Sequence, residues 1–217
     1  MWLLWTSLAA ATDLSGTWRV DLHLVHEVSV PVLGTSRSDS HTVQLWHVDG
    51  DQMRNEHCSI TAITRRRIGR PTIPTAFARA IEPARAQMEV TGDLLRVDMG
   101  LSRIGHTGPT VPEAADDPAV VDHEGDGLPG ATMSVWAPLF GDVELYVAQR
   151  THLVLDGVID ADRVTGTARQ AELVQRTLGA GNRLFARNPD IVPVPDDSSF
   201  TMVRVAEGTT CDTLPAG

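Results

Sequence analysis

The stretch that decides the fold is "DVELYVAQRTHLVLDG", Asp142–Gly157. Val143, Leu145, Val147, Gln149, Thr151, Leu153 and Leu155 share one face; Glu144, Tyr146, Arg150, His152 and Asp156 share the other. Successive side chains of a strand point to opposite sides, so this period of two marks a strand with one dry face. Strands usually run about five or six residues, and one this long suits a barrel or a strongly coiled sheet. In "GVIDADRVTGTARQAELV", which follows, Asp160-Ala161-Asp162 reads as a turn between Val158-Ile159 and a further strand from Arg163.

Upstream, the same alternation starts at Trp18. Trp18, Val20, Leu22, Leu24, His26, Val28 and Val30 oppose Arg19, Asp21, His23, Val25, Glu27 and Ser29. Residues 41–48, 52–63, 86–91, 94–101, 131–139 and 200–206 also read as strands, with Asp49-Gly50-Asp51 and Gly92-Asp93 as hairpin links. Only Pro74–Ala86 has helical composition, and Pro83 limits it to a short piece. The pattern predicts an all-β fold: an antiparallel meander of nine or ten strands that closes on itself into a barrel, with one short helix, because closure removes exposed edges.

Composition sets the partners. The chain has 217 residues, a net charge of −10 and 18 basic residues, every one of them Arg. A basic surface that tracks nucleic-acid phosphates is not expected from such a sequence, so nucleic acid is a poor candidate partner. "MWLLWTSLAAA" at residues 1–11 ends in Ala9-Ala10-Ala11, the small-residue end of a secretory signal, although no Lys or Arg precedes it. Residues 12–217 then form one domain, expected in the periplasm, the outer envelope or outside the cell. No other apolar run has the length of a membrane-spanning helix, and one Tyr with scattered Trp makes no aromatic girdle, so the chain is read as not membrane-spanning. An even cysteine count in an exported chain predicts a Cys58–Cys211 disulfide, worth up to roughly 4 to 5 kcal/mol in the chain-entropy model.

"LSGTWRV", Leu14–Val20, resembles the Gly-x-Trp opening of lipocalin-like (calycin) barrels. The resemblance implies structural roles for Gly16 and Trp18 at the start of the first strand. It also implies an Arg from the last strand packed across the Trp, which Arg204 in "FTMVRV" matches. A C-terminal cysteine bridged to the wall, as Cys211 and Cys58 would be, belongs to the same pattern.

"DHEGDG", Asp122–Gly127, resembles an EF-hand Ca²⁺ loop without flanking helices. Asp122, Glu124 and Asp126 take positions 1, 3 and 5, Gly127 the sharp turn, and the Leu128 carbonyl position 7; Met133 stands where the bidentate Glu belongs. The surrounding loop 105–130 holds Glu113, Asp116, Asp117, Asp122, Glu124 and Asp126 without a single Arg. Such a cluster repels itself unless a cation screens it, so a weak structural Ca²⁺ is expected, stiffening one loop at the barrel mouth.

No G-x-S-x-G elbow, H-E-x-x-H, phosphate loop or reactive-cysteine signature is present. Asp98 and Glu144 would pair only by accident of the fold. "TRRRIGR", Thr64–Arg70, reads as a solvated turn or an anion contact, and parity places His23 and His26 on opposite faces, against a simple histidine metal site. Two functions follow. The first is a non-catalytic β-barrel that binds a small apolar molecule or a protein partner. The alternative is a hydrolase or isomerase that uses His26, Gln149 and Thr151 inside the same barrel.

Overall fold

A computed structural model describes residues 13–30, 34–64 and 70–214. Residues 1–11, expected as a leader, and the Arg65, Arg66 and Arg67 run lie outside the described residues. The strands are β1 Gly16–Val30, β2 Gly34–Asp49, β3 Gln52–Thr64, β4 Arg70–Thr72, β5 Arg85–Thr91, β6 Leu94–Ile104, β7 Ala131–Ala137, β8 Gly141–Asp160, β9 Arg163–Ala180, β10 Asp190–Pro193 and β11 Ser199–Arg204. One helix, α1 Thr75–Ala80, and 3₁₀ turns at Arg183–Phe185 and Pro195–Asp197 complete the described elements.

Every pairing is antiparallel, and the sheet closes through β8, β6, β5, β3, β2, β1, β11 and β9 back to β8. Among the described residues there are eleven strands against the nine or ten expected, the additions being the short β4 and β10, and three ring strands are each broken in two. β6 pairs with β8 from Leu94↔Val158 to Ile104↔Gln149, and β7 resumes on the same edge at Ala131↔Val147. β5 lies against β6 and β4 against β7, with α1 between them in sequence. β11 pairs with Trp18–His23 of β1, and β10 with His26–Ser29. Counted whole, the ring is an eight-stranded meander in sequence order. Prolines mark two of the breaks, Pro74 and Pro83 around α1 and Pro195 before β11, because each removes a ladder donor.

The interior divides into two storeys. The lower one is solid: Trp18, Trp46, Met53, Leu95, Val97, Leu155, Val164, Phe200 and Met202 are buried against one another. The upper one is not filled, since the inward positions of β2 are Gly34, Ser36, Ser38, Ser40 and Thr42. Eight strands enclose just enough space for large side chains to fill or for one small ligand to occupy, and small side chains leave that space open.

The lower end is sealed as the lipocalin-like pattern implies. Trp18 is 0% exposed, pairs with Arg204 on one side and Trp46 on the other, and donates its indole N–H to the Leu14 carbonyl at 2.8 Å. The Arg204 guanidinium lies 4.3 Å from the Trp18 ring centroid, donates to the Ser15 carbonyl at 2.5 Å and to Asp162 Oδ1 at 2.8 Å. Gly16 has φ +131°, and a Cβ there would stand 2.6 Å from Arg204 Nη1, so only glycine lets the arginine lie flat.

Cys58 and Cys211 form the disulfide. A register shift between β2 and β3 beside Cys58 lets Asn55, His57 and Ile60 all face inward while the cysteine leaves the wall. The tail is pinned again by an ion pair between Asp212 and Arg79 of α1.

Candidate functional site

The upper storey holds a cavity of about 330 Å³ that reaches from Leu22, Gln44 and Asn55 to the rim at Val30, Thr64 and Arg187. Its walls alternate apolar and uncharged polar side chains. Val28, Ile60, Phe77, Met133, Leu145 and Ile191 supply apolar surface. Among the described residues lining it there is no Asp or Glu, and Arg187 is the one Arg. Polar interior surface is expensive unless it is paired with itself or with a ligand.

Much of it is paired. Gln44 Oε1 accepts from the Trp46 indole at 2.7 Å and from Asn55 Nδ2 at 3.1 Å, and Asn55 Oδ1 accepts from the Ala84 N–H at 2.6 Å. Across the cavity, His26 Nε2 and Gln170 Oε1 are 2.5 Å apart, Gln170 Nε2 donates to Thr151 Oγ1, and that hydroxyl donates to the Glu172 carbonyl. Because an amide oxygen can only accept, His26 carries its proton on Nε2. Desolvation lowers the His26 pKa, with the Gln170 contact opposing it.

His57 is the exception. It lines the cavity, and its buried Nδ1 has no hydrogen-bond partner. Desolvation lowers its pKa to about 4, so the ring is neutral at physiological pH. His26, Gln149 and Thr151, expected as interior polar groups, do line the cavity, and they meet no acid there. His23 points outward and stacks on His41 at 4.5 Å. Asp98 bonds His152 and Glu144 bonds Tyr146, so these two carboxylates have separate partners.

The acidic loop lies away from the mouth. It leaves β6 and rejoins β7 on the outer wall of β8, where a Cβ on Gly105 or Gly130 would stand 2.5 Å from the Val147 carbonyl. It is held by outward-facing arginines and by its own carboxylates, which accept loop and β7 amides. Arg103 donates to the Gly108 carbonyl, Arg150 to the Pro109 carbonyl, and Arg176 to Glu113 at 2.9 Å.

The expected Ca²⁺ ligands sit in one turn with different occupations. Asp122 accepts the N–H groups of Gly125, Asp126 and Gly127, which hold its pKa down. Glu124 accepts from the Thr132 N–H at 2.7 Å, and burial raises its pKa. Asp126 accepts the Leu128 N–H at 2.9 Å. Among the described residues no three His, Cys, Asp or Glu side chains stand together so as to hold a metal ion. Sequence reasoning missed the row of serines on β2 and the orphan His57; the alternating small residues of "GTSRSDSHT" were the available signal.

Compared with protein-family models, curated proteins and solved structures, the chain matches none.

Proposed function

We propose that this protein binds a neutral, largely apolar small molecule in the upper storey of a lipocalin-like barrel, in the periplasm, the outer envelope or outside the cell. The observation that carries the reading is the cavity of about 330 Å³ whose walls hold no acid and whose histidine His57 is neutral. A cation would enter that space without a counter-ion, at a cost of several kcal/mol or more, and an anion would meet only Arg187 at the rim. A neutral one gains apolar contact and can offer the unpaired His57 a hydrogen bond. The Gly16, Trp18 and Arg204 clasp and the wall-bound Cys211 support the lipocalin-like reading.

The test is saturable binding of a neutral, environment-sensitive apolar dye to the folded protein, repeated on Ser40→Phe. That substitution points a ring into the cavity from β2 without touching the lower core. Binding by the wild type and loss of it in a normally melting Ser40→Phe support the proposal. Binding that ignores the substitution refutes it. The rival reading, a hydrolase or isomerase, draws on the His26–Gln170–Thr151 chain beside Gln149. It requires His26 as the proton carrier, so turnover of any small ester or ketone that His26→Gln abolishes would favour it.

A Ca²⁺ at Asp122, Glu124, Asp126 and the Leu128 carbonyl remains a proposal that demands rearrangement. Glu124 would have to leave the Thr132 N–H, and Asp122 would have to turn from its three amides.

A further inference from the structure

The mouth end carries two loop tips that touch. The β7–β8 hairpin turns at Pro138-Leu139-Phe140, and the 3₁₀ turn after β9 contains Leu184-Phe185. Phe140 meets Phe185 edge to face at 5.3 Å between centroids. Leu139 is 102% exposed, Leu184 69% and Phe140 48%, while Phe185 reaches into the cavity lining. Single exposed apolar residues are ordinary, whereas a contiguous group at the entrance to a cavity marks a contact surface.

Leu139 is also strained. Its φ is +70°, a left-handed conformation that leucine rarely adopts and that glycine or asparagine would take more cheaply. The tip therefore holds a leucine side chain out in solvent at a conformational cost.

Charge indicates what covers it. Arg183 and Arg187 flank Leu184 and Phe185, both exposed, and neither guanidinium makes an ion pair among the described residues. Arg70 lies 5.1 Å over the ring of Trp136, on the strand that leads into the hairpin. Asp142 and Asp190 are the acids that adjoin the two tips in sequence. In a chain of net charge −10, unpaired arginines beside an apolar tip form a local match to phosphate headgroups above acyl chains. An arginine there can lay its stem along apolar surface with its head among phosphates.

We infer that the rim formed by Leu139, Phe140, Leu184, Arg183 and Arg187 docks on an anionic phospholipid bilayer, with the cavity mouth facing the membrane. The rim borders the cavity through Phe185 and Arg187, but docking uses the exposed side chains and needs no guest, so vesicle binding and cavity binding are tested separately.

The test is flotation of the full chain with phosphatidylcholine vesicles, with and without phosphatidylglycerol. Wild type should float with the anionic vesicles and lose binding as salt is raised, since the headgroup attraction is screened. Leu139→Ser with Leu184→Ser should cut the bound fraction roughly tenfold or more, and Arg183→Glu with Arg187→Glu should remove the preference for phosphatidylglycerol. Leu94→Ser with Val158→Ser, an exposed apolar pair at the closed end, should change nothing. All these side chains are exposed, so melting temperatures verify that each variant is folded. Absence of flotation by wild type at low salt, or flotation unaffected by the rim substitutions, overturns the inference. Concentration-dependent self-association that the leucine pair abolishes, without flotation, would overturn it too by assigning the rim to a second copy of the chain.

Discussion

Protonating His57 should cost the fold stability, and His57→Gln isolates that cost. Its pKa is about 4 in the folded protein against 6.5 for a free side chain, a depression caused by desolvation. Below pH 6.5 the unfolded chain takes up a proton on this ring while the folded chain does not, so stability falls by about 1.4 kcal/mol per pH unit until pH reaches about 4. The full effect is present above pH 6.5 and amounts to about 3 kcal/mol, a ceiling because water in the cavity can reach the ring. Urea denaturation of wild type and His57→Gln at several values between about pH 7.5 and 4.5 gives the difference in stability directly. His26, His106 and His123 are depressed by burial as well, but they are common to both proteins and cancel in that difference. The variant should gain on wild type steadily as pH drops through this window. A difference that stays constant across it would refute the reasoning, since it would mean that the ring is hydrated well enough to charge inside the folded barrel.

Trp18→Ala should destabilise by roughly 3 to 5 kcal/mol in the same urea assay, as a large truncation in a sealed core that also frees Arg204. Replacing Cys58 and Cys211 by Ser should lower stability by up to roughly 5 kcal/mol, because the bridge spans 153 residues, and the loss should vanish when wild type is measured under reducing conditions. Gly105→Ala should cost about 2 kcal/mol or more, given its φ of +72° and a Cβ 2.5 Å from the Val147 carbonyl, whereas Gly208→Ala meets no neighbour and should cost about 1 kcal/mol. Arg150→Ala should open loop 105–130 to proteolysis, since its guanidinium holds the Pro109 carbonyl. For the proposed Ca²⁺ loop, millimolar Ca²⁺ should raise the wild-type melting temperature slightly and protect the same loop, and a response that is absent, or that Asp126→Ala leaves unchanged, refutes the metal site.

Legibility followed burial. β1 and β8 could be read residue by residue because each faces a dry core on one side and water on the other, and hydrophobicity alternates wherever that contrast exists. The Gly16, Trp18 and Arg204 clasp came from the lipocalin-like resemblance and not from periodicity, and of the three only Trp18 is buried in the lower core. Where the interior is a cavity the contrast fades. Residues 34–40 were not read as strand because serine serves the inner face and polar residues the outer, so neither period nor propensity stands out. β10 is too short to show a pattern, and only its pairing with β1 reveals it as the upper part of the last ring strand. The acidic loop stands out in the sequence by its charge, its length and its EF-hand-like spacing. Its partners, Arg103, Arg150 and Arg176, come from three different strands, and side chains so far apart in sequence are brought together only by the register.

The broken strands give the molecule two levels of cooperativity. In the lower storey each strand is bonded to both neighbours, so its amides can exchange with solvent only by disrupting the closed ladder as a whole. In the upper storey, among the described residues, no ladder joins β3 to β4 or β9 to β10, so the wall there is two laddered panels, tied at the second seam by Thr177 to Arg187 and Asn188. Such panels can swing apart at a free-energy cost well below that of global unfolding. Hydrogen exchange should accordingly sort the chain into a slow set, in the lower parts of β1, β2 and β8, and a faster set in β4, β7 and β10. A guest larger than the resting cavity can then be admitted by parting the panels, while the base that anchors the chain stays shut.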